Sequence, residues 1–359
     1  MADSSALPLI SVVMSVYNAG AYVAEAIASI LAQTYRNVEF IIVDGGSTDG
    51  SDAVVREFAA RDDRVRPVYL PTCGLSYALN AGLALVRGEW VAYMEADNVS
   101  LPERFATQLD WMRRTGVEIG GSLAKIFEGE ERPFWFPETH EAIRNELLFS
   151  CAMLQTTMLM PADIAKKHPF DEDAIFQDYE MWTRLAPHYR MGNQPQVLVK
   201  YRRHPQQTSI VKSARIKSEQ RKYRHRYFHD LFPDASEQDY AALNRVVEKQ
   251  SSPDLAELKR SGEWLARLAQ TPDNFLRQRM ANRWRETCRR SARLGLACYR
   301  IYRQVAPQFG VASDEKADNS LRRLCVLRLS SDSRVYTALS SLKRGLVNPE
   351  DVSRGEERL

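Results

Sequence analysis

The segment Trp90–Asn98, WVAYMEADN, ends an apolar run with two acidic residues that are separated by one alanine. Its apolar part, Val91–Met94, predicts a buried strand, and acidic side chains at the end of such a strand do not belong to the core. Glu95 and Asp97 suit a hard divalent cation, Mn²⁺ or Mg²⁺, held against a diphosphate, because such ions prefer oxygen ligands with room for water. Alternatively, Asp97 or Asn98 only caps the segment that starts near residues 100–102.

Strands and helices alternate through the first 100 residues. Apolar and β-branched runs predict the strands, and apolar residues at helical spacing predict the helices between them. The predicted strands are residues 9–16, 38–43, 65–70 and 90–94, and the predicted helices are residues 21–33, 52–60 and 75–86. This α/β alternation predicts a mostly parallel sheet with helices on both faces, in which ligands bind beyond the carboxyl ends of the strands.

Two more strands end in residues that suit a nucleoside. Ser15, Tyr17 and Asn18 end the first strand and begin the next turn, and a small hydroxyl, an aromatic ring and a turn suit a ribose or a flat base. Asp44 follows the second strand directly, and the glycines after it allow a ligand to approach the backbone. We therefore expect Asp44 to bind ligand and Asp49 mainly to cap the next helix.

Length and composition indicate about two folded domains. The chain has 359 residues, of which 44% are hydrophobic and 26% are charged. Its first residues lack the pattern of a signal peptide, and no apolar run is long enough to span a membrane. The five cysteines have no metal-ligand spacing, which favours free thiols. We therefore expect a cytoplasmic protein.

Charge differs strongly between the two parts of the chain. Residues 1–200 contain 17 Lys+Arg and 27 Asp+Glu, a net charge of −10, whereas residues 201–359 contain 32 and 19, a net charge of +13. The second part is helical in pattern, with a long Arg-rich helix predicted from about residue 273 to residue 304. We expect a catalytic domain over residues 8–210, a basic α-helical domain over residues 211–347 and a disordered tail over residues 348–359.

The basic helical region has three interpretations. Its arginines form an ordinary solvated face, or attach the protein peripherally to an anionic membrane surface, or bind an acidic polysaccharide or a partner protein. Nucleic acid is not expected as a partner, because no zinc-finger, RNP-like or helix-turn-helix signature accompanies the charge.

Six motifs together resemble the inverting glycosyltransferases of family 2, which have the GT-A fold. They lie in order and at family-like spacing, over about residues 8–210. The motifs are residues 10–18, 43–50, 74–82 (GLSYALNAG), 95–97 (EAD), 178–185 (DYEMWTRL) and 201–204 (YRRH). The resemblance, which is to the bacterial cell-surface polysaccharide type, implies a Rossmann-like nucleotide-sugar domain followed by a helical C-terminal region.

The resemblance also implies roles for individual residues. Asp178 would be the general base, Asp97 and His204 would hold the divalent metal, and Arg202 would close with His204 over the diphosphate. Glu95 would lie near the ribose or a metal-bound water. The implied nucleotide-sugar site comprises Ser15, Tyr17, Asn18, Asp44, Glu95, Ala96, Asp97, Arg202 and His204. For Asp178 the alternative is an N-cap of the helix that follows, and Glu180 is the rival base.

The implied activity is transfer of a sugar from a UDP-, GDP- or dTDP-sugar to a hydroxyl of a glycan, glycolipid or glycoprotein. The chain lacks the Gln/Arg-rich tryptophan motif and the membrane spans of processive members, which favours non-processive transfer. Two alternatives are a non-catalytic nucleotide-sugar-binding scaffold and, less favoured, a sugar nucleotidyltransferase. Gly45 stands where the family often has a second acid, so the nucleobase stays open, as do the sugar, the acceptor and the oligomeric state.

Overall fold

The computed structural model describes residues 7–128, 132–204, 207, 213–312, 314–331, 333 and 335–336. The chain divides into two compact units, Met1–Pro233 and Asp234–Leu359. The helix Ser213–Leu231 lies inside the predicted second domain, residues 211–347, but falls within the first unit. The tail predicted over residues 348–359 lies outside the described residues.

The first unit begins with four strands and three helices that alternate as predicted. They are β1 (Ile10–Val16), α1 (Val23–Leu31), β2 (Val38–Asp44), α2 (Ser51–Arg61), β3 (Val65–Tyr69), α3 (Leu75–Ala84) and β4 (Trp90–Glu95). Strand β1 pairs in parallel with β2 and with β4, and β2 pairs in parallel with β3. Nearly all of β1 and all of β2 are buried, as expected for parallel strands covered on both faces.

Five further strands extend the sheet. They are β5 (Val99–Ser100), β6 (Ile119–Phe127), β7 (Pro133–Phe134), β8 (Leu159–Pro161) and β9 (Met191–Arg202). The order across the sheet is β3-β2-β1-β4-β8-β6-β9-β5, with β7 paired to β6. Strand β8 is antiparallel to both β4 and β6, so the sheet is mixed. The predicted α/β class is confirmed.

Five more helices complete the described part of the first unit. They are α4 (Arg104–Thr115), α5 (His140–Leu147), α6 (Ala162–Lys167), α7 (Gln177–Leu185) and α8 (Ser213–Leu231). A 3₁₀ turn, Gln155–Thr157, lies beside β4, and α8 packs against α7.

Close packing fixes the frame behind that edge. In α3, Gly82 lies so near the sheet that an added Cβ would be 2.6 Å from Val13 Cγ1 and 3.1 Å from Val43 Cγ2. A side chain at this position would displace two core residues of β1 and β2, so glycine is what permits the close approach. The carboxyl ends of the strands therefore project from a rigid core.

The second unit is helical in its described residues. Its helices are α9 (Glu237–Val247), α10 (Leu255–Leu268), α11 (Asn274–Arg290), α12 (Leu296–Val305) and α13 (Glu315–Leu327). The predicted start near residue 273 is confirmed, because the Asp273 side chain accepts a hydrogen bond from the Leu276 N–H at 3.0 Å. The prediction of a single long helix from about residue 273 to residue 304 is wrong. Gly295, with φ of 76°, separates α11 from α12.

The arginines of α11 are mostly half-buried, and Arg290 pairs with Glu286 at 2.8 Å. Within the described ranges, no helix has the length and apolar character needed to cross a membrane.

Candidate active site

The carboxyl ends of β1, β2 and β4 lie side by side. Strand register pairs Ser15 of β1 with Val43 of β2 on one side and with Glu95 of β4 on the other. Asp44, the last residue of β2, pairs with Val16. Residues predicted from three separate segments to bind ligand therefore meet at one edge of the sheet.

Hydrogen bonds tie the loop after β1 to the loop after β2. Asn18 adopts φ of 50°, a left-handed conformation that asparagine tolerates better than most residues. Its Oδ1 accepts a hydrogen bond from the Thr48 N–H at 2.9 Å, and its own N–H donates to Ser47 Oγ at 3.0 Å. Tyr17, the preceding residue, is 56% exposed. Asn18 thus shapes the loop, and the Tyr17 ring stays accessible.

The two aspartates after β2 differ in their partners. Asp44 is 3% exposed, and its Oδ1 accepts hydrogen bonds from the N–H groups of Gly46 and Ser47 at 3.0 and 2.9 Å. Its other oxygen, Oδ2, is buried and has no hydrogen-bond partner among the described residues. Asp49 instead supports the start of α2, because its Oδ1 accepts hydrogen bonds from the N–H and the hydroxyl of Ser51. Only Asp44 offers an acceptor that a ligand donor would satisfy.

Three carboxylates form one acidic cluster. Burial, followed by the negative charges of Asp97 and Asp178, raises the pKa of Glu95 to about 8. Asn98 Nδ2 donates a hydrogen bond to Glu95, which opposes this shift only in part. A neighbouring negative charge raises the pKa of a carboxyl group, because ionising that group then costs Coulomb energy. Three carboxyl groups thus lie near one another where β4 ends and α7 begins.

His204 and Arg202 approach this cluster from the end of β9. His204 Nε2 lies 3.1 Å from Asp97 Oδ2, and its ring lies 4.9 Å from the ring of Tyr22, centre to centre. Arg202 Nε donates to the backbone carbonyl of Asp97 at 2.9 Å, and the Arg202 N–H donates to Asn98 Oδ1 at 2.9 Å. The end of β9 therefore contacts both the backbone carbonyl and the carboxylate of Asp97.

The guanidinium of Arg202 is fully engaged by protein groups. It pairs with Glu25 and Glu128 and lies between the rings of Tyr22 and Phe127, 4.7 and 4.5 Å from their centres. Its side chain is 4% exposed. The guanidinium thus holds the loop of Asp97, and the role implied for Arg202, closing with His204 over the diphosphate, stays a prediction.

Asp178 lies in the first turn of α7. Its Oδ1 accepts a hydrogen bond from the Tyr179 N–H at 2.7 Å, and the Cys151 thiol sulfur lies 3.9 Å from its Oδ2. Burial is the main cause that raises the pKa of Asp178 to about 6. The rings of Phe176 and Tyr179, which flank Asp178 in the sequence, stack with their centres 5.2 Å apart. With this raised pKa the carboxylate is a stronger base than an exposed aspartate.

Glu180, the rival base, is committed elsewhere. Its side chain is 3% exposed and pairs with Arg184 at 3.0 Å and with Arg226 at 3.1 Å. Both oxygens of this carboxylate accept hydrogen bonds from arginine side chains, so neither is free to approach an acceptor hydroxyl. Asp178 is therefore the better candidate.

An arginine buried beneath the site supports the acidic loop. Arg104, at the start of α4, is 0% exposed and donates to the carbonyls of Tyr93 and Met158 at 3.3 and 3.1 Å and to Gln108 Oε1 at 3.0 Å. Burial lowers the pKa of Arg104 to about 9. Arg104 therefore links Tyr93, two residues before Glu95 in β4, to Met158, the residue before β8.

Comparison with known proteins identifies the family. The sequence model described as Glycosyl transferase family 2 matches residues 11–166. An uncharacterised glycosyltransferase of Haemophilus influenzae is 32% identical over 222 residues, which cover 57% of this chain and 68% of that protein. The O-antigen biosynthesis glycosyltransferase WbnJ of Escherichia coli is 31% identical over 210 residues, which cover 56% and 82%. The chain belongs to glycosyltransferase family 2.

Solved structures share the fold of this family 2 enzyme. S. aureus TarS, residues 1–349, has a TM-score of 0.53 at 17% identity, and the match covers 84% of this chain and 91% of that chain. The TarS crystal in complex with UDP gives a TM-score of 0.52. At this identity the likeness concerns the fold alone. The predicted GT-A fold and the assignment as a glycosyltransferase are confirmed.

The donor set of the family 2 enzyme fits a divalent cation. Asp97 offers a carboxylate and His204 a ring nitrogen, 3.1 Å apart, and Glu95 and Asp178 are further carboxyl groups near them. A carboxylate, an imidazole and water suit Mn²⁺ or Mg²⁺.

Several residues that shape the family 2 site have no signal in the sequence. Tyr22, just before α1, and Glu25, within α1, contact His204 or Arg202, and Cys151 lies beside Asp178. Glu219 of α8 accepts hydrogen bonds from the backbone just before α7. None stands in a recognisable motif, and each reaches the site from a distant segment.

Proposed function

We propose that this glycosyltransferase moves a sugar from a nucleotide-diphosphate sugar to a hydroxyl acceptor with inversion at the anomeric carbon. In this proposal Asp178 is the general base, and a divalent cation at Asp97 and His204 assists departure of the nucleoside diphosphate. The observation that carries the proposal is the convergence of Asp97, Glu95 and Asp178 in one acidic cluster at the carboxyl edge of the sheet.

The nucleoside half of the donor would bind between the first two strands. Tyr17 offers an exposed ring for stacking, and the buried Asp44 Oδ2 offers an acceptor that lacks a partner among the described residues. A base with a ring N–H, such as uracil, thymine or guanine, supplies the missing donor. Adenine and cytosine present a ring acceptor at that position, and their donor is an exocyclic amino group. Asp44 therefore favours UDP-, dTDP- or GDP-sugars, and TarS, of the same fold, was crystallised with UDP.

The diphosphate would lie against Asp97 and His204. A bound cation would supply charge neutralisation as the diphosphate departs. Within the protein, Asp97 and His204 would hold that ion, and Arg202 would hold Asp97 in place through its backbone carbonyl. We therefore propose a positioning role for Arg202 and no direct contact with the diphosphate.

Asp178 would take the proton of the acceptor hydroxyl. A carboxylate on the face of the sugar opposite the leaving group is the arrangement that a single inverting displacement requires, by analogy with glycoside hydrolysis. The stacked Phe176 and Tyr179 rings would limit water near the reacting atoms. A base of raised pKa accepts a proton more readily as the oxygen–carbon bond forms.

The acceptor class is proposed from the relatives and the sequence. WbnJ is named for O-antigen biosynthesis, which supports a cell-surface glycan or its lipid-linked precursor as acceptor. The sequence carries no Gln/Arg-rich tryptophan motif, which supports transfer of a single sugar or a short series. Family membership favours this function over the scaffold and nucleotidyltransferase alternatives.

The test is release of nucleoside diphosphate from a panel of donors with a hydroxyl acceptor present. We expect release from at least one UDP-, dTDP- or GDP-sugar, dependence on Mn²⁺ or Mg²⁺, and loss on adding EDTA. ADP- and CDP-sugars are the matched controls and should be poorer donors, because their bases present a ring acceptor where uracil, thymine and guanine present a ring N–H to Asp44. Metal-independent turnover, or equal turnover of an ADP-sugar, would contradict the corresponding part of the proposal.

Activity should depend on pH through Asp178. Because the pKa of Asp178 is raised to about 6 and the base works when ionised, kcat/KM should fall as pH drops below about 6. The measurement is the initial rate at low donor concentration from about pH 5 to pH 8 at constant ionic strength. Residual activity of Asp178→Asn is the control and should lack this inflection. A flat profile in the unmodified enzyme would argue against Asp178 as the base.

A further inference from the structure

Helix α8 reaches the start of the helix that carries Asp178. The Glu219 carboxylate Oε2 accepts hydrogen bonds from the backbone N–H groups of Ile175 and Phe176, at 2.8 and 3.0 Å. Glu219 is half-buried, so both contacts are partly shielded from water. Charged acceptors bind backbone N–H groups more strongly than neutral acceptors do.

Helix α7 lacks a cap of its own at this end. Phe176 occupies the N-cap position and makes no side-chain capping hydrogen bond. The first N–H groups of a helix have no partner within the helix, and the positive end of the helix dipole favours a negative charge nearby. Glu219 supplies both an acceptor and a negative charge at the residues that lead into α7. A residue about 40 positions later in the chain thus completes the start of this helix.

A second set of contacts holds α7 against α8. Arg226 Nη2 donates to Glu180 Oε1 at 3.1 Å and to Thr183 Oγ1 at 3.3 Å. On another side of α8, the hydroxyl of the fully buried Tyr227 donates to the carbonyl of Arg144 at 3.1 Å. Helix α8 is therefore anchored to α5 as well as to α7, and it can serve as a fixed support.

Asp178 lies between these two attachments. It follows the Glu219-bound backbone by two residues and precedes Glu180 by two. The hydrogen bond that its carboxylate accepts from the adjacent Tyr179 N–H lies within the same turn of α7. The position of the Asp178 carboxylate thus depends on where the first turn of α7 is held.

We propose that Glu219 is a positioning residue for the general base, and this inference rests on the proposed role of Asp178. By capping the backbone before α7, Glu219 fixes the distance between the Asp178 carboxylate and the acceptor hydroxyl. Small displacements of a reacting group cost large factors in rate, so loss of this cap should lower kcat. Donor binding should not change, because the nucleoside residues lie on β1 and β2.

The test compares Glu219→Ala and Glu219→Gln with the unmodified enzyme. We expect Glu219→Ala to lower kcat about 10- to 100-fold with donor KM within about twofold. Glu219→Gln keeps a carbonyl acceptor and should recover most of the activity. Asp230→Asn, a charge removal at the exposed far end of the same helix, is the matched control and should behave as the unmodified enzyme. Normal kcat in Glu219→Ala would overturn the proposal.

A double variant separates positioning from general stability. If Glu219 acts through Asp178, then Glu219→Ala should cost less than about twofold when Asp178 is already Asn. An equal loss in both backgrounds would overturn the positioning role. If Glu219→Ala does not fold, Glu219→Asp takes its place, since its shorter side chain should also lower kcat without changing KM. Normal activity of Asp178→Asn would refute the base itself, which is a separate outcome.

Discussion

Replacement of Asp178 with asparagine is expected to lower kcat by about 10³-fold while leaving donor binding nearly unchanged. The amide keeps the size of the side chain, and it can still accept the hydrogen bond from the Tyr179 N–H. It cannot take the proton of the acceptor hydroxyl. Because the residues proposed to bind the nucleoside and the diphosphate lie on other segments, the dissociation constant of the donor should stay within about threefold.

The measurement pairs turnover with calorimetry. Nucleoside diphosphate release gives kcat, and titration of the donor in the presence of Mn²⁺ gives its dissociation constant. Asp173→Asn is the matched control, since Asp173 is an exposed carboxylate in the turn before α7. An Asp178→Asn enzyme with full kcat would remove the general base from the mechanism, and the pH profile would then need another group.

The frame of the site was predictable because local rules and the global fold agree. Strands β1, β2 and β4 are buried on both faces, so their apolar runs are continuous and their polar ends stand out. Ser15, Asp44 and Glu95 follow from that contrast alone. In a parallel sheet the strand ends must share an edge, so the segments converge without any knowledge of loop conformation.

The opposite side of the site was not predictable from spacing. Asp178 and His204 entered only through the family resemblance, because an aspartate at a helix start and a histidine after a strand are common in any fold. The residues that support the backbone around the site carry even less signal in the sequence. Glu219 binds backbone N–H groups, which leave no trace in side-chain pattern, and Arg104 is a lone charge buried against carbonyls.

The error in the second unit has a physical cause that the sequence contained. Helical periodicity continues across Ser291–Leu294, and buried residues on both sides, such as Met280 and Cys298, kept the apolar face in apparent phase. Gly295 adopts φ of 76°, which ends the helical path. A glycine inside a helical pattern is tolerated or is a terminator, and periodicity alone does not distinguish the two.

Replacement of Asp97 with alanine is expected to abolish detectable turnover, a loss of more than about 10³-fold, and to remove metal binding. Asp97 is the proposed ligand that His204 Nε2 approaches at 3.1 Å, and the remaining imidazole is a weak site for Mn²⁺ on its own. Folding should persist, because the side chain of Asp97 is only partly buried and the contact that anchors its loop uses its backbone carbonyl.

Manganese binding is measured directly by electron paramagnetic resonance of free Mn²⁺, with and without nucleoside diphosphate. Asp110→Ala removes an exposed carboxylate that pairs with Arg114 within α4, and it should bind metal and turn over donor normally. A His204→Ala variant should weaken metal binding less than Asp97→Ala does, because the carboxylate carries the charge. If Asp97→Ala bound Mn²⁺ with unchanged affinity, the cation would have to lie elsewhere. The acidic cluster would then act on the substrate only through Glu95 and Asp178.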